Sequence, residues 1–118
     1  MHILLTGASG FVGSHVAVAL AAAGHQVRCA TRRPTEARAA HPDRVWVELD
    51  LARPETLPGA LAGCDAAIYL VHGMDAGHDD YPVRERREAQ AFAAAAATAG
   101  LRRIIYLGGV MPAHGASR

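Results

Sequence analysis

Three glycines at three-residue spacing, Gly7, Gly10 and Gly13, carry the clearest chemistry in this chain. They lie in Thr6-Gly7-Ala8-Ser9-Gly10-Phe11-Val12-Gly13, directly after the apolar run Ile3-Leu4-Leu5 and at the opening of a helical pattern. The first glycine permits a tight turn that a Cβ would block. The second lets the backbone approach a pyrophosphate, and the third lets the helix pack closely on the strand. N–H groups at the helix start, with the positive end of the helix dipole, then hold the anion. A glycine triplet alone is a weak signal; the strand before it and the helix after it supply the context of a dinucleotide-phosphate loop.

A second group decides which dinucleotide is expected. In such folds an acid after the second strand hydrogen-bonds the ribose 2′-OH of NAD, whereas an arginine there accommodates the 2′-phosphate of NADP. No acid stands between Gln26 and Thr35, but Arg32 and Arg33 do. A guanidinium is permanently charged and forks onto phosphate oxygens. The expectation is therefore NADP(H) in preference to NAD(H). The competing reading is a pair of solvated arginines at a strand end.

These groups need elements to position them. Residues 2–6 read as a buried strand, and residues 11–23 as a helix with Val12, Val16, Leu20 and its alanines facing the sheet. Gly24 suits the helix C-terminus. Gln26 to Thr31 reads as a second strand, followed by a short helix or irregular segment to about Ala40. Val45 to Leu49 reads as a third strand with Asp50 at its end. Pro54 fits the first turn of a helix over 54–62, and Ala66 to Val71 reads as a strand buried on both faces. Gly73 to Pro82 has the composition of a loop. A helix over about Val83 to Ala99, ending at Gly100, precedes a fifth strand, Arg103 to Leu107, and a loop from Gly108 to Arg118. Strands alternating with helices imply an α/β fold with a parallel sheet and right-handed crossovers. The expected architecture is a Rossmann-type, doubly wound sheet of five strands in the order 3-2-1-4-5.

The 118 residues suffice for one domain, 1–118, and one modest core. A hydrophobic fraction of 51% suits a soluble globular protein. A net charge of +1 gives no general basic field for nucleic acid or membrane. No apolar stretch reaches the roughly 18 residues of a spanning helix, and the N-terminus lacks the pattern of a signal peptide. The expected location is the cytoplasm. Cys29 and Cys64 are far apart and read as small buried hydrophobes. His72, Asp75, His78, Asp79 and Asp80 crowd one loop, but they match no zinc signature, so no metal is expected.

With loop, strands and helix in place, the chain resembles the extended and atypical short-chain dehydrogenases/reductases, most closely NmrA-like and epimerase-like NAD(P)H-binding members. The glycine loop is similar to their TGxxGxxG signature. Supporting segments are Thr31-Arg-Arg-Pro34, Glu48-Leu-Asp-Leu51, Ala67-Ile-Tyr-Leu-Val-His72 and Arg103-Ile-Ile-Tyr-Leu-Gly-Gly109. The resemblance implies Arg32 as the first choice for the 2′-phosphate. It implies Asp50 and Leu51 at the adenine, with a surface aspartate capping the next turn as the alternative for Asp50. It implies Leu70, Val71 and His72 along the adenosine and nicotinamide ribose, although His72 also reads as a polar strand end. Gly108 and Gly109 stand where the family usually has serines and permit close backbone approach to the nicotinamide.

The family's usual catalytic set is a tyrosine whose pKa is lowered by a lysine four residues on, a serine and an asparagine. This sequence contains no lysine and no asparagine, so that set cannot be assembled from it and no catalytic residue is assigned. Tyr69 and Tyr106 read as core; Tyr81 sits at the loop with nothing to activate it. Two functions follow. One is the cofactor half of an atypical oxidoreductase or epimerase whose substrate half lies elsewhere, acting on an unidentified small molecule. The other is a non-catalytic NADP(H)-sensing or partner-binding module of the NmrA-like kind. Arg84, Arg86 and Arg87 oppose the dipole of the long helix they begin, and Arg84 can pair with Glu88. No sixth strand follows the fifth, so an open edge, poor solubility or a homodimer is expected.

Overall fold

The apolar runs form one parallel sheet. The structure, a computed structural model, describes residues 1–70 and 81–107. Its strands are β1 (His2–Leu5), β2 (Gln26–Thr31), β3 (Val45–Glu48), β4 (Ala66–Leu70) and β5 (Arg103–Leu107), ordered β3-β2-β1-β4-β5. Ile3 pairs with Val27 on one side and Ala66 on the other, Cys29 with Trp46, and Tyr69 with Tyr106. From β1 the chain winds outward through β2 and β3, then returns to wind the other way through β4 and β5. The connections after β1 and β4 thus leave in opposite directions, and a crevice opens between them at the carboxyl ends of the strands.

Helices cover both faces. On one, α1 (Phe11–Ala22) and α2 (Pro34–Ala40) set Ala17 and Ala37 against Ile3, Leu5, Cys29, Trp46 and Ile68. On the other lie a 3-10 turn (Pro54–Thr56), α3 (Leu57–Leu61) and α4 (Tyr81–Ala99). There Leu57, Leu61, Phe92 and Ala96 pack on Leu4, Ala30, Ala67 and Tyr69. The alanines of α4 keep the side-chain layer thin, and the rings of Phe92 and Tyr69 meet at 4.9 Å. Ala66 to Tyr69 are all buried, as a strand covered on both faces requires. Arg28 of β2 holds the end of α3 by donating to the carbonyls of Ala60 at 2.8 Å and Ala62 at 2.6 Å; a cation there complements the helix dipole. At Gly24, α1 closes with the His25 N–H donating to the Leu20 carbonyl at 3.1 Å.

Two side chains depart from the sequence-based expectation. Val12 does not face the sheet; it is 51% exposed. The inward stripe of α1 is Gly13 and Ala17, flanked by half-buried Val16 and Leu20, and Val12 lies one helical step off that stripe. Tyr106 is not core; it is 48% exposed, beside exposed Ile105 and Leu107, because β5 ends the sheet. Boundaries shift modestly. The expected helix 54–62 resolves into the 3-10 turn followed by α3. Thr6 and Leu49 fall just past the strands they were assigned to. Both cysteines are buried and unbridged, as expected. The His72–Asp80 loop and residues 108–118 lie outside the described residues, as does the side chain of Arg84.

Candidate functional site

Each glycine of the loop has a distinct local environment. Gly7 turns the chain out of β1 with φ +66°, the left-handed region, and its carbonyl accepts from the Gly10 N–H at 3.1 Å. A Cβ on Gly13 would lie 2.0 Å from the Gly7 oxygen and 2.7 Å from the Ala8 Cα, so α1 sits against the loop at a distance only glycine allows. A Cβ on Gly10 would meet nothing nearer than the Gly7 oxygen at 3.6 Å. The protein itself does not require glycine at position 10, and the space beside it is open to an incoming group. No side chain among the described residues caps the start of α1, and its first turn has no acid. The first N–H groups of the helix are thus left without a side-chain acceptor or a neighbouring acid, the condition that suits an anion. Thr6 ties the loop down: its N–H donates to the Ile68 carbonyl at 3.0 Å, and its Oγ1 accepts from the Leu70 N–H at 2.9 Å.

A cleft of about 910 Å³ runs across the carboxyl ends of β1 to β4. It gathers seven of the expected residues: Gly7 and Ser9 from the loop, Arg32 and Arg33 after β2, Asp50 and Leu51 after β3, and Leu70 of β4. Ala8 is fully buried beneath it. Gly10, Phe11, Val12 and Gly13 carry the chain into α1 outside the cleft's own lining, with Phe11 exposed. Val71, His72 and Gly108 lie outside the described residues.

The two arginines differ. Arg33 begins α2; its N–H donates to Thr31 Oγ1 at 3.2 Å and its guanidinium lies 3.6 Å from Glu36 Oε1. Arg32 has no hydrogen bond or ion pair with any described residue. Asp50 is divided as well. Its Oδ1 accepts from the Ala52 N–H at 3.0 Å, an Asx turn, and its N–H donates to Thr56 Oγ1 at 2.9 Å. The capping alternative is thus correct for one carboxylate oxygen; the other has no partner among the described residues.

Glu36, Glu88 and Tyr69 also line the cleft, and none of them is among the site residues expected from the sequence. Glu36 is readable in retrospect, three residues beyond Arg33 on one helix. Glu88 carries no local signal, since only the docking of α4 brings it there. Tyr69 is core, as expected, and floors the cleft too. Away from the cleft, burial pushes the Cys29 and Cys64 thiols up, and the His2 N–H at 2.9 Å holds the Asp65 carboxyl below its usual range. Among the described residues, no three His, Cys, Asp or Glu side chains gather as a metal site, and no helix is long and apolar enough to cross a membrane.

Fold and cleft together define a nucleotide-binding domain, and comparison with known proteins says which kind. The sequence model described as NAD(P)H-binding matches residues 7–115. The chain belongs to that family, an NAD(P)-binding Rossmann domain similar to those of the short-chain dehydrogenase/reductase superfamily. It is 36% identical over 73 residues to a 3-beta-hydroxysteroid dehydrogenase of Mycolicibacterium neoaurum, covering 62% of this chain and 20% of that protein. It is 32% identical over 88 residues to a dihydroflavonol 4-reductase of Hordeum vulgare, covering 66% and 25%. It superposes on the Citrobacter sp. triphenylmethane reductase complexed with NADP(H) at a TM-score of 0.77 and 27% identity, over 92% of this chain and 37% of that one. The chain spans a quarter or less of the length of the two sequence relatives.

Proposed function

We propose that this chain binds NADP(H) in preference to NAD(H), as the cofactor-binding half of an atypical short-chain dehydrogenase/reductase-like oxidoreductase or epimerase. The observation that carries the preference is Arg32, a guanidinium without a partner among the described residues, on the wall of the cleft that the glycine loop opens. In this reading the N–H groups at the start of α1 hold the pyrophosphate, and Gly10 leaves room for it. Arg32 takes the 2′-phosphate, seconded by Arg33. The uncommitted oxygen of Asp50 accepts from the adenine amine, and Leu51 packs on the ring. Leu70, Val71, His72 and Gly108 follow the cofactor toward its nicotinamide, which supplies or accepts a hydride when bound. Apolar walls from Ala30, Ala37 and Leu49 exclude water along the adenosine.

With no lysine or asparagine in the sequence, the usual proton-transfer set cannot be assembled from residues 1–118. We therefore assign this chain binding and orientation, and assign substrate recognition to residues outside it. The same absence favours a second reading, a non-catalytic NADP(H) sensor. Calorimetric titration with NADPH and NADH tests the first claim. Arg32→Ala is expected to weaken NADPH by about 1–3 kcal/mol and leave NADH nearly unchanged. Equal losses for both would remove the 2′-phosphate assignment.

A further inference from the structure

The two arginines after β2 share one cleft wall with an acid. Glu36 lines it beside Arg32, Arg33 and Asp50, and its carboxylate lies 3.6 Å from the Arg33 guanidinium, with both side chains largely in water at 72% and 74% exposure. We propose that Glu36 is a specificity-determining residue that works against NADP(H): it draws Arg33 toward itself and opposes the charge of a 2′-phosphate. The proposal rests on the dinucleotide reading of the cleft and goes beyond it, since that reading assigns no role to this acid.

The physical case turns on charge and on weakness. A phosphate monoester carries between one and two negative charges near neutral pH. A carboxylate lining the same cleft repels it, and charges closer than the Debye length of about 8 Å are poorly screened. An exposed ion pair holds its partners only slightly, so an arriving 2′-phosphate can take Arg33 from Glu36, but it does so against that pairing. The 2′-hydroxyl of NAD(H) is uncharged and offers nothing for which Arg33 would leave. Glu36 therefore narrows the discrimination that two unopposed arginines would produce. Arg32, with no partner among the described residues, is left as the unconditional phosphate ligand.

Glu36→Gln removes the charge from an exposed position and keeps the side chain's shape. The probes are adenosine 2′,5′-bisphosphate and AMP, which differ by the 2′-phosphate and lack nicotinamide, followed by NADPH and NADH. Titration calorimetry on the whole chain is expected to show the variant binding the bisphosphate and NADPH about threefold to fivefold more tightly. AMP and NADH should change by less than about twofold. The gain should vanish when Arg33→Ala is combined with Glu36→Gln and compared with Arg33→Ala alone. Unchanged or weaker bisphosphate binding by Glu36→Gln overturns the proposal while leaving the dinucleotide reading intact. Wild-type protein that is folded by circular dichroism yet binds none of the four ligands overturns both.

Discussion

Replacing Gly13 and Gly10 separately by alanine should divide folding from binding. At Gly13 the new methyl would sit 2.0 Å from the Gly7 oxygen and 2.7 Å from the Ala8 Cα, both backbone atoms with no rotamer to change. Relief requires α1 to move off the β1 loop by about 1 Å, to a contact that real Cβ atoms tolerate. Such overpacking costs about 1–3 kcal/mol and sometimes more. Alanine returns up to about 1 kcal/mol of helix propensity, so a net loss of about 1–2 kcal/mol is expected. A domain of ordinary stability, about 5–15 kcal/mol, survives that but shows it clearly. At Gly10 the methyl meets only the Gly7 oxygen at 3.6 Å, ordinary contact, so Gly10→Ala should cost no more than about 1 kcal/mol, the difference between glycine and alanine at a helix N-cap. The same methyl projects toward the proposed pyrophosphate and should weaken NADPH and NADH alike. Urea denaturation reads the first effect as a lower midpoint at unchanged slope, and calorimetry reads the second. If Gly13→Ala unfolds at the wild-type midpoint, the packing argument is wrong. If Gly10→Ala binds dinucleotide as well as wild type, the loop does not approach a pyrophosphate at that residue.

Two further predictions concern titration. The His2 N–H lowers the Asp65 carboxyl below its ordinary value, so its contribution to stability is present above about pH 4 and is lost as pH falls through the lowered native value. Asp65→Asn should flatten that part of the acid limb, and parallel acid limbs for the two proteins would show that Asp65 contributes nothing there. Burial raises both thiols, so their contribution is complete below about pH 8.5 and declines as pH rises through the raised native values. In native protein at pH 8, Cys29 and Cys64 should react with a thiol reagent far more slowly than in urea; equal rates would contradict their burial.

Much of the architecture was legible because its signals are local. Alternating apolar runs and helical stretches imply a parallel, doubly wound sheet regardless of which side chains touch, and all five strands stand where the runs placed them. The glycine loop was legible because backbone conformation and close approach exclude Cβ atoms at fixed spacing: Gly7 is left-handed and Gly13 is jammed against the loop. Seven expected site residues reach one cleft because each stands at or just beyond the carboxyl end of a strand, and a parallel sheet brings those ends together.

What depends on partners distant in sequence was decided only by the tertiary structure. Val12 and Gly13 share one apolar pattern, and only the docking of α1 turns the glycine inward and the valine out. Tyr69 and Tyr106 occupy equivalent strand positions, paired in register, but one is covered by α4 while the other lies on the terminal strand. Glu88 carries no local sign of the cleft, and only the docking of α4 brings it to the lining. Composition and spacing thus determined the fold and the class of ligand, because backbone geometry and hydrophobic period act over a few residues. Which side chains from other elements line the cleft was settled by packing, because they come from stretches the local sequence does not contain.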